Sequence, residues 1–121
     1  MQRYSTETQE QCAVVEWCDV CHVPVVHIPN EGKRTARYGA LLKRMGLRRG
    51  FPDLFIPVAR KGYHGLFVEM KAKGGRVSPE QKEWARVLTE QRYLCAVCYS
   101  FEEAVKTVES YIGGTRSEKI L

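Results

Sequence analysis

Two apolar segments near the middle of the chain constrain the fold more than any other feature. Leu54-Phe55-Ile56 and the alternating run Leu66-Phe67-Val68-Glu69-Met70-Lys71 flank a turn containing Arg60-Lys61-Gly62. Short apolar runs joined through a turn of this kind predict an antiparallel hairpin. Side chains alternate along a strand, so Glu69 and Lys71 share one face, with Cα atoms roughly 7 Å apart, while Leu66, Val68 and Met70 take the other. Asp53 opens the first strand inside an otherwise apolar stretch, Phe51-Pro52-Asp53-Leu54. The hairpin can therefore bring Asp53 beside Glu69, gathering two carboxylates and one ammonium.

Helical patterns surround this hairpin. Ser5 and Thr6 open a first helix, with Thr6 and Gln9 at capping-box spacing. Ala13, Val14, Trp17, Cys18 and Cys21 recur along it at helical intervals, and Pro24 is expected to close it. Val25-Val26-His27-Ile28 is β-branched and bounded by prolines, so it reads as a short buried strand. A second helix over residues 35–45 places Tyr38, Leu41, Leu42 and Met45 on one side, and Gly46 suits its end. The third strand covers residues 65–71, and Gly74-Gly75 breaks the chain. Ser78-Pro79-Glu80-Gln81 is a strong helix start: an N-cap serine, proline at the first position, and Gln81 closing a capping box. Residues 93–99 form an apolar strand, and Ser100 with Glu103 begins a last helix ending near Tyr111. The order αβαββαβα implies an α/β or α+β sandwich around a small mixed sheet. Residues 1–112 are expected to form a single domain and residues 113–121 a flexible tail.

Charge separates the function classes. The chain of 121 residues carries a net +5, which alone signals only a mild preference for polyanions. Its distribution is more informative. Twelve basic residues lie between Gly32 and Pro79, against two acids, Asp53 and Glu69. Isolated carboxylates in a basic region suit a cation-bridged phosphate site; the alternative is a solvated basic surface with incidental acids. No apolar run approaches the roughly 18 residues needed to span a bilayer. The N-terminal stretch lacks the apolar core of a signal peptide, so the expectation is a cytoplasmic protein with no membrane partner.

Two neighbouring carboxylates repel unless a cation lies between them. A hard divalent ion such as Mg²⁺ or Mn²⁺ prefers oxygen ligands and keeps several waters. Bound there, it would polarise a phosphate oxygen and acidify a water. Lys71 could then orient that water or stabilise charge growing on the phosphate. Glu-x-Lys alone is weak evidence, since a solvated strand face produces it often and the ion pair is worth little. Pro52-Asp53 on the preceding strand gives it weight.

Pro52-Asp53 followed by Glu69-Met70-Lys71 resembles the PD-(D/E)XK nuclease motif. More narrowly, the chain resembles the virus-type replication-repair nuclease (VRR-NUC) family, in the short stand-alone form found in phages and prophages. Supporting blocks are His27-Ile28-Pro29-Asn30-Glu31-Gly32-Lys33-Arg34 and Gly46-Leu47-Arg48-Arg49-Gly50-Phe51-Pro52-Asp53-Leu54. They continue with Gly62-Tyr63-His64-Gly65-Leu66-Phe67-Val68-Glu69-Met70-Lys71, then Ser78-Pro79-Glu80-Gln81 and Ser100-Phe101-Glu102-Glu103. The resemblance implies a restriction-endonuclease-like core and Mg²⁺- or Mn²⁺-dependent cleavage of DNA. It implies that Asp53, Glu69 and the Met70 carbonyl ligate metal, that Lys71 serves the attacking water, and that Gln81 stands near the site. It also brings a first-helix glutamate to the metal. Glu7, followed four positions later by Gln11, fits best, with Glu10 as the substitute; an exposed helix-start glutamate favoured by the dipole is the alternative.

Asn30, Lys33, Arg34, Arg37, Arg48, Arg49 and Lys73 are the expected DNA-binding residues. Phosphate contacts of this type give affinity without sequence choice. With no groove-reading module in sight, that favours branched DNA, such as a Holliday junction or a flap. A sequence-specific restriction-type endonuclease and a non-catalytic DNA-binding module are the alternatives. Stand-alone members of the family resemble junction-cleaving dimers, so the resemblance also implies a homodimer.

Cys18-Asp19-Val20-Cys21-His22 matches a haem-attachment pattern, and Cys95 with Cys98 makes a second CxxC pair. The first pair lies on the apolar face of a helix. The second lies on a strand, where positions three apart point to opposite faces. Core packing is therefore expected, with neither haem nor structural zinc. His27 is expected to be a satisfied core histidine.

Overall fold

A computed structural model describes residues 5–29 and 35–113. The elements follow in the order α1 (Thr6–Val20), β1 (Val26–His27), α2 (Ala36–Arg44), β2 (Leu54–Ile56), β3 (Leu66–Met70), α3 (Pro79–Glu90), β4 (Leu94–Cys98) and α4 (Phe101–Ile112). The four strands make one mixed sheet in the order β1-β2-β3-β4. The expected element order and fold class are both realised.

The central hairpin forms because its turn chemistry matches its twist. Lys61 and Gly62 have φ of +55° and +85°. Arg60 and Tyr63 exchange both backbone hydrogen bonds, at 3.1 and 2.8 Å. Positive φ at both central residues is the two-residue turn that suits the right-handed twist of paired strands. β2 then pairs antiparallel with β3, Leu54 opposite Val68 and Ile56 opposite Leu66. β4 joins β3 in parallel after the α3 crossover, as a parallel connection requires.

Alternation sorts the side chains onto two faces. Leu54, Ile56, Leu66, Val68, Met70 and Cys98 are buried in one core with Val14 and Cys18 of α1 and Ala104, Val108 and Tyr111 of α4. On the opposite face Phe55 stacks on Phe67 at 4.5 Å, and Phe51 meets Phe67 and Trp84 edge-on. α1 and α4 thus cover one side of the sheet and α3 the other. Truncating a fully buried member such as Leu66 or Met70 to alanine costs about 2–5 kcal/mol.

Two basic residues at the hairpin tip have structural duties. Lys61 Nζ donates to Ser110 O at 2.6 Å, and Arg60 Nε donates to Ile112 O at 3.2 Å. Both cations meet the carbonyl end of α4, where the helix dipole favours positive charge by about 0.3–1 kcal/mol each. Tyr111 adds its hydroxyl, which donates to Val58 O at 2.6 Å.

Several local expectations are corrected. α1 is capped by Ser5, whose hydroxyl accepts from Thr8 N, so Thr6 and Gln9 form no capping box. It stops at Val20, with Cys21 as its C-cap and His22 at φ +60°; Pro24 merely follows. β1 is exposed, and so is His27. α2 forms as expected, but no residue of it is buried. Its apolar side, Tyr38, Leu41 and Met45, is 54 %, 44 % and 74 % exposed. Residues 114–121, expected as a tail, and the segment 30–34 lie outside the described residues.

Candidate active site

Asp53 is held from two sides by the strands that flank it. Its backbone carbonyl accepts from Ile28 N at 2.7 Å, just past β1. Its Oδ2 accepts from Met70 N at 2.9 Å, at the end of β3. The β2–β3 register would place Pro52 opposite Met70. At that rung the Asp53 carboxylate, in place of a backbone carbonyl, is the acceptor for the Met70 amide.

One step along the same register, Asp53 stands opposite Glu69. Directly opposed side chains on paired strands point to one face. Both acids are buried, with 5 % and 6 % of their surface exposed. Glu69 Oε2 accepts from Gln81 Nε2 at 3.0 Å. The same amide caps its own helix: Ser78 N donates to Gln81 Oε1 at 2.8 Å, and Gln81 N donates to Ser78 Oγ at 3.1 Å. Gln81 thus performs the capping role and the site contact together. Gly50 makes this possible. At φ +87°, its missing Cβ would fall 2.6 Å from the Glu80 carbonyl carbon, so α3 rests directly on the loop leading to Asp53.

Lys71 follows on the Glu69 face of the strand, half-buried, with its backbone N–H bonded to Cys98 O at 2.9 Å. Its ammonium has no hydrogen-bond partner among the described residues. Three of the expected residues, Asp53, Glu69 and Gln81, therefore stand in one braced group, with Lys71 two positions along.

Two cavities flank the acid pair. One, of about 220 Å³, is lined by Glu7, Thr8 and Gln11 of α1 and by His27, Pro29 and Asp53. Glu7 thus shares a cavity with Asp53. Glu10 does not: its Oε1 accepts from Phe101 N at 2.7 Å, tying α1 to the start of α4. The second cavity, of about 310 Å³, lies between α3 and the sheet and is lined by Glu69, Gln81, Pro52, Phe67, Ala85 and Val97.

His27 has a place in this site that its apolar sequence surroundings hid. Its Nδ1 lies 3.0 Å from Asp53 O and 3.1 Å from Gln11 Nε2. With Nδ1 protonated the ring donates to the Asp53 carbonyl, tying it to the strand end that carries Asp53, and Gln11 of α1 lies beside it.

The donor set fits a hard divalent cation. Two buried carboxylates without a cation between them repel in a low-dielectric setting. Among the described residues no three His, Cys, Asp or Glu side chains form a complete cage. Two carboxylates, backbone oxygen and water are the usual set for Mg²⁺, which keeps much of its hydration. The cysteine pairs are disposed differently. Burial, helped by the Asp19 charge, pushes the Cys18 thiol up to about 12. Cys95 lies against Ala85 of α3 and Cys98 against Thr107 of α4, on opposite sides of the sheet.

Among the expected DNA contacts, Arg37 is exposed on α2, Arg48 and Arg49 on the turn before Asp53, and Lys73 on the turn after β3. Asn30, Lys33 and Arg34 lie outside the described residues. No helix among those described is long and apolar enough to cross a membrane.

The fold is a mixed four-stranded α+β sandwich with an acid pair at the open end of its central hairpin. A family model for the VRR-NUC domain matches residues 1–102. The chain belongs to the VRR-NUC domain family, which is a family of nucleases. A solved structure described as a VRR-NUC domain protein is similar at 26 % identity and a TM-score of 0.76, covering 97 % of this chain and all of that one. A second, described as a VRR-NUC domain, shares the fold at 21 % identity and a TM-score of 0.62, covering 89 % of this chain and 99 % of that one. No curated protein matches the chain.

Proposed function

We propose that this protein is a Mg²⁺- or Mn²⁺-dependent DNA endonuclease of the PD-(D/E)XK type that acts on branched DNA. The observation that carries the reading is the buried pair Asp53 and Glu69, braced by Met70 N–H and by Gln81. Acids buried in a basic region have no use in binding DNA alone, which argues against a non-catalytic module.

A cation held by Asp53, Glu69 and the Met70 carbonyl would polarise a phosphate oxygen and lower the pKa of a bound water. The residues of the chain supply the rest. Met70 N–H and Gln81 fix one oxygen of each carboxylate, so neither side chain must reorganise when substrate arrives. Glu7, which lines the same cavity as Asp53, would complete the oxygen set as the first-helix glutamate. Lys71 offers its ammonium to the attacking water or to charge building on the phosphate. Arg37, Arg48, Arg49 and Lys73 take the flanking phosphates, which sets affinity and salt dependence without reading sequence. A twofold pair of chains would present two sites to two strands of a junction.

The test is a cleavage panel of linear duplex, single strand, flap and four-way junction, each with Mg²⁺, Mn²⁺ or chelator. Cleavage of the branched substrates only with metal is expected. Full activity in excess chelator refutes the metal role. Cutting of plain duplex at one sequence identifies a restriction-type enzyme instead. Sedimentation with and without junction DNA checks the pairing.

A further inference from the structure

Glu7 stands in the first turn of α1, while the core grips that helix further along. Val14 and Cys18, about two and three turns on, are its buried residues, and Glu10 fastens it to α4 through Phe101 N. Gln11 lies one turn after Glu7 on the same side of the helix. There α1 meets the strand end that carries Asp53. Gln11 Nε2 is 3.1 Å from His27 Nδ1, which is 3.0 Å from Asp53 O. Glu7, Gln11, His27 and Asp53 line one cavity of about 220 Å³. Two carboxylates and the two side chains that join their elements thus surround a single space.

The contacts fix the state of the ring. A carbonyl oxygen can only accept, and an unprotonated Nδ1 at 3.0 Å from it would set lone pair against lone pair. This nitrogen therefore carries the proton. Gln11 is the adaptable neighbour, because a half-turn of its carboxamide exchanges oxygen and nitrogen in place. With its oxygen toward the ring it shares the Nδ1 proton. Asp53 O accepts from Ile28 N as well, at 2.7 Å, and Asp53 Oδ2 accepts from Met70 N. His27 is exposed, so its contribution is direction more than apolar burial.

We propose that His27 is a positioning residue for the cation site: its Nδ1–H, shared between Asp53 O and Gln11, sets the first turn of α1 at the spacing that lets Glu7 and Asp53 hold one ion. This rests on the endonuclease reading above and assigns the part that fixes the geometry of its oxygen ligands. Groups that orient metal ligands without touching the ion are worth about 10–100-fold in metal affinity.

The experiment titrates Mn²⁺ into the full-length protein without DNA, reading free Mn²⁺ by electron paramagnetic resonance. It compares the wild type with His27→Ala, His27→Asn and His27→Gln. The amide nitrogen of asparagine can take the place of Nδ1, and that of glutamine the place of Nε2. His27→Ala and His27→Gln are expected to bind Mn²⁺ about tenfold more weakly, and His27→Asn to recover most of the loss. All three keep a melting temperature close to the wild type and bind junction DNA normally in chelator. Should His27→Ala fail to fold, the contrast between His27→Asn and His27→Gln decides. Glu7→Gln weakens Mn²⁺ binding by itself, and adding His27→Ala to it costs little more, since there is then no ligand left to position. Equal Mn²⁺ affinity in all four proteins, with wild-type cleavage intact, overturns the inference and leaves the endonuclease reading standing. A loss that His27→Asn shares in full, or full additivity with Glu7→Gln, overturns it as well. A wild type that binds no Mn²⁺ removes the endonuclease reading first, and the inference with it.

Discussion

Replacing Gly50 with alanine tests how the site is held together. A methyl group there would lie 2.6 and 2.7 Å from the carbonyl carbon and Cβ of Glu80 and 2.8 Å from the Gln81 nitrogen. Ordinary carbon–carbon contact begins near 3.5 Å. The first turn of α3 must therefore retreat by about 1 Å, since the obstructing atoms are largely backbone. Gln81 Nε2 starts 3.0 Å from Glu69 Oε2, so that retreat takes it beyond hydrogen-bond reach. The positive φ adds about 1–2 kcal/mol of strain for any L side chain. Losing a hydrogen bond to a charged group adds about 1.5–3 kcal/mol. Gly50→Ala should therefore destabilise the fold by about 3–5 kcal/mol and slow cleavage about 100-fold, the usual consequence of a 1 Å misplacement at a reacting centre. Gly46→Ala is the matched control. It has φ +112° and nothing within 4 Å of its would-be Cβ, so it carries the strain alone, about 1–2 kcal/mol, without the loss of rate. Urea titrations and single-turnover cleavage with Mn²⁺ read the two effects separately. Equal stability and equal rates for the two variants would refute the account of Gly50 as the seat of Gln81.

Asp53→Asn and Lys71→Ala should each lower cleavage by at least about 100-fold while junction binding in chelator persists; loss of binding in both would point to a collapsed fold instead. Gln81→Leu removes cap and site contact together and should cost about 1 kcal/mol of stability along with most of the activity. Gln81→Glu keeps an acceptor for Ser78 N but replaces the donor to Glu69 with a carboxylate facing a buried acid, so neither its melting temperature nor its cleavage recovers. Cys18, raised from 9.0 to about 12 in the fold, holds its proton more tightly folded than unfolded. Its contribution is present below pH 9 and is lost as pH rises from 9 toward 12. Denaturation midpoints of wild type and Cys18→Val across that range should diverge, the wild type falling faster.

Much of this architecture was legible because its signals are local. The Ser78-Pro79-Glu80-Gln81 start is a short-range pattern and forms as read; the run at 66–71 forms its strand over Leu66–Met70, buried on both faces. The acid pair was legible for the same reason, since a hairpin fixes its own register. What escaped depends on contacts distant in sequence. His27 sits in a β-branched run and reads as core, yet β1 is an exposed edge strand, and only α1 folding across it reveals the ring beside Asp53. Glu7 and Glu10 are separated by where α4 begins: Phe101 claims Glu10. Periodicity found the apolar side of α2, but only the structure shows that no residue of the helix is buried. Arg60 and Lys61 counted as part of a basic surface, while the structure places them on the carbonyl end of α4.

The bond from Met70 N to the Asp53 carboxylate closes the open end of the hairpin, so the two acids face each other only while the strands are paired to that rung. Fraying there would free the Met70 amide and part Asp53 from Glu69 in one event, which makes hydrogen exchange at that single amide a readout of whether the pair is intact.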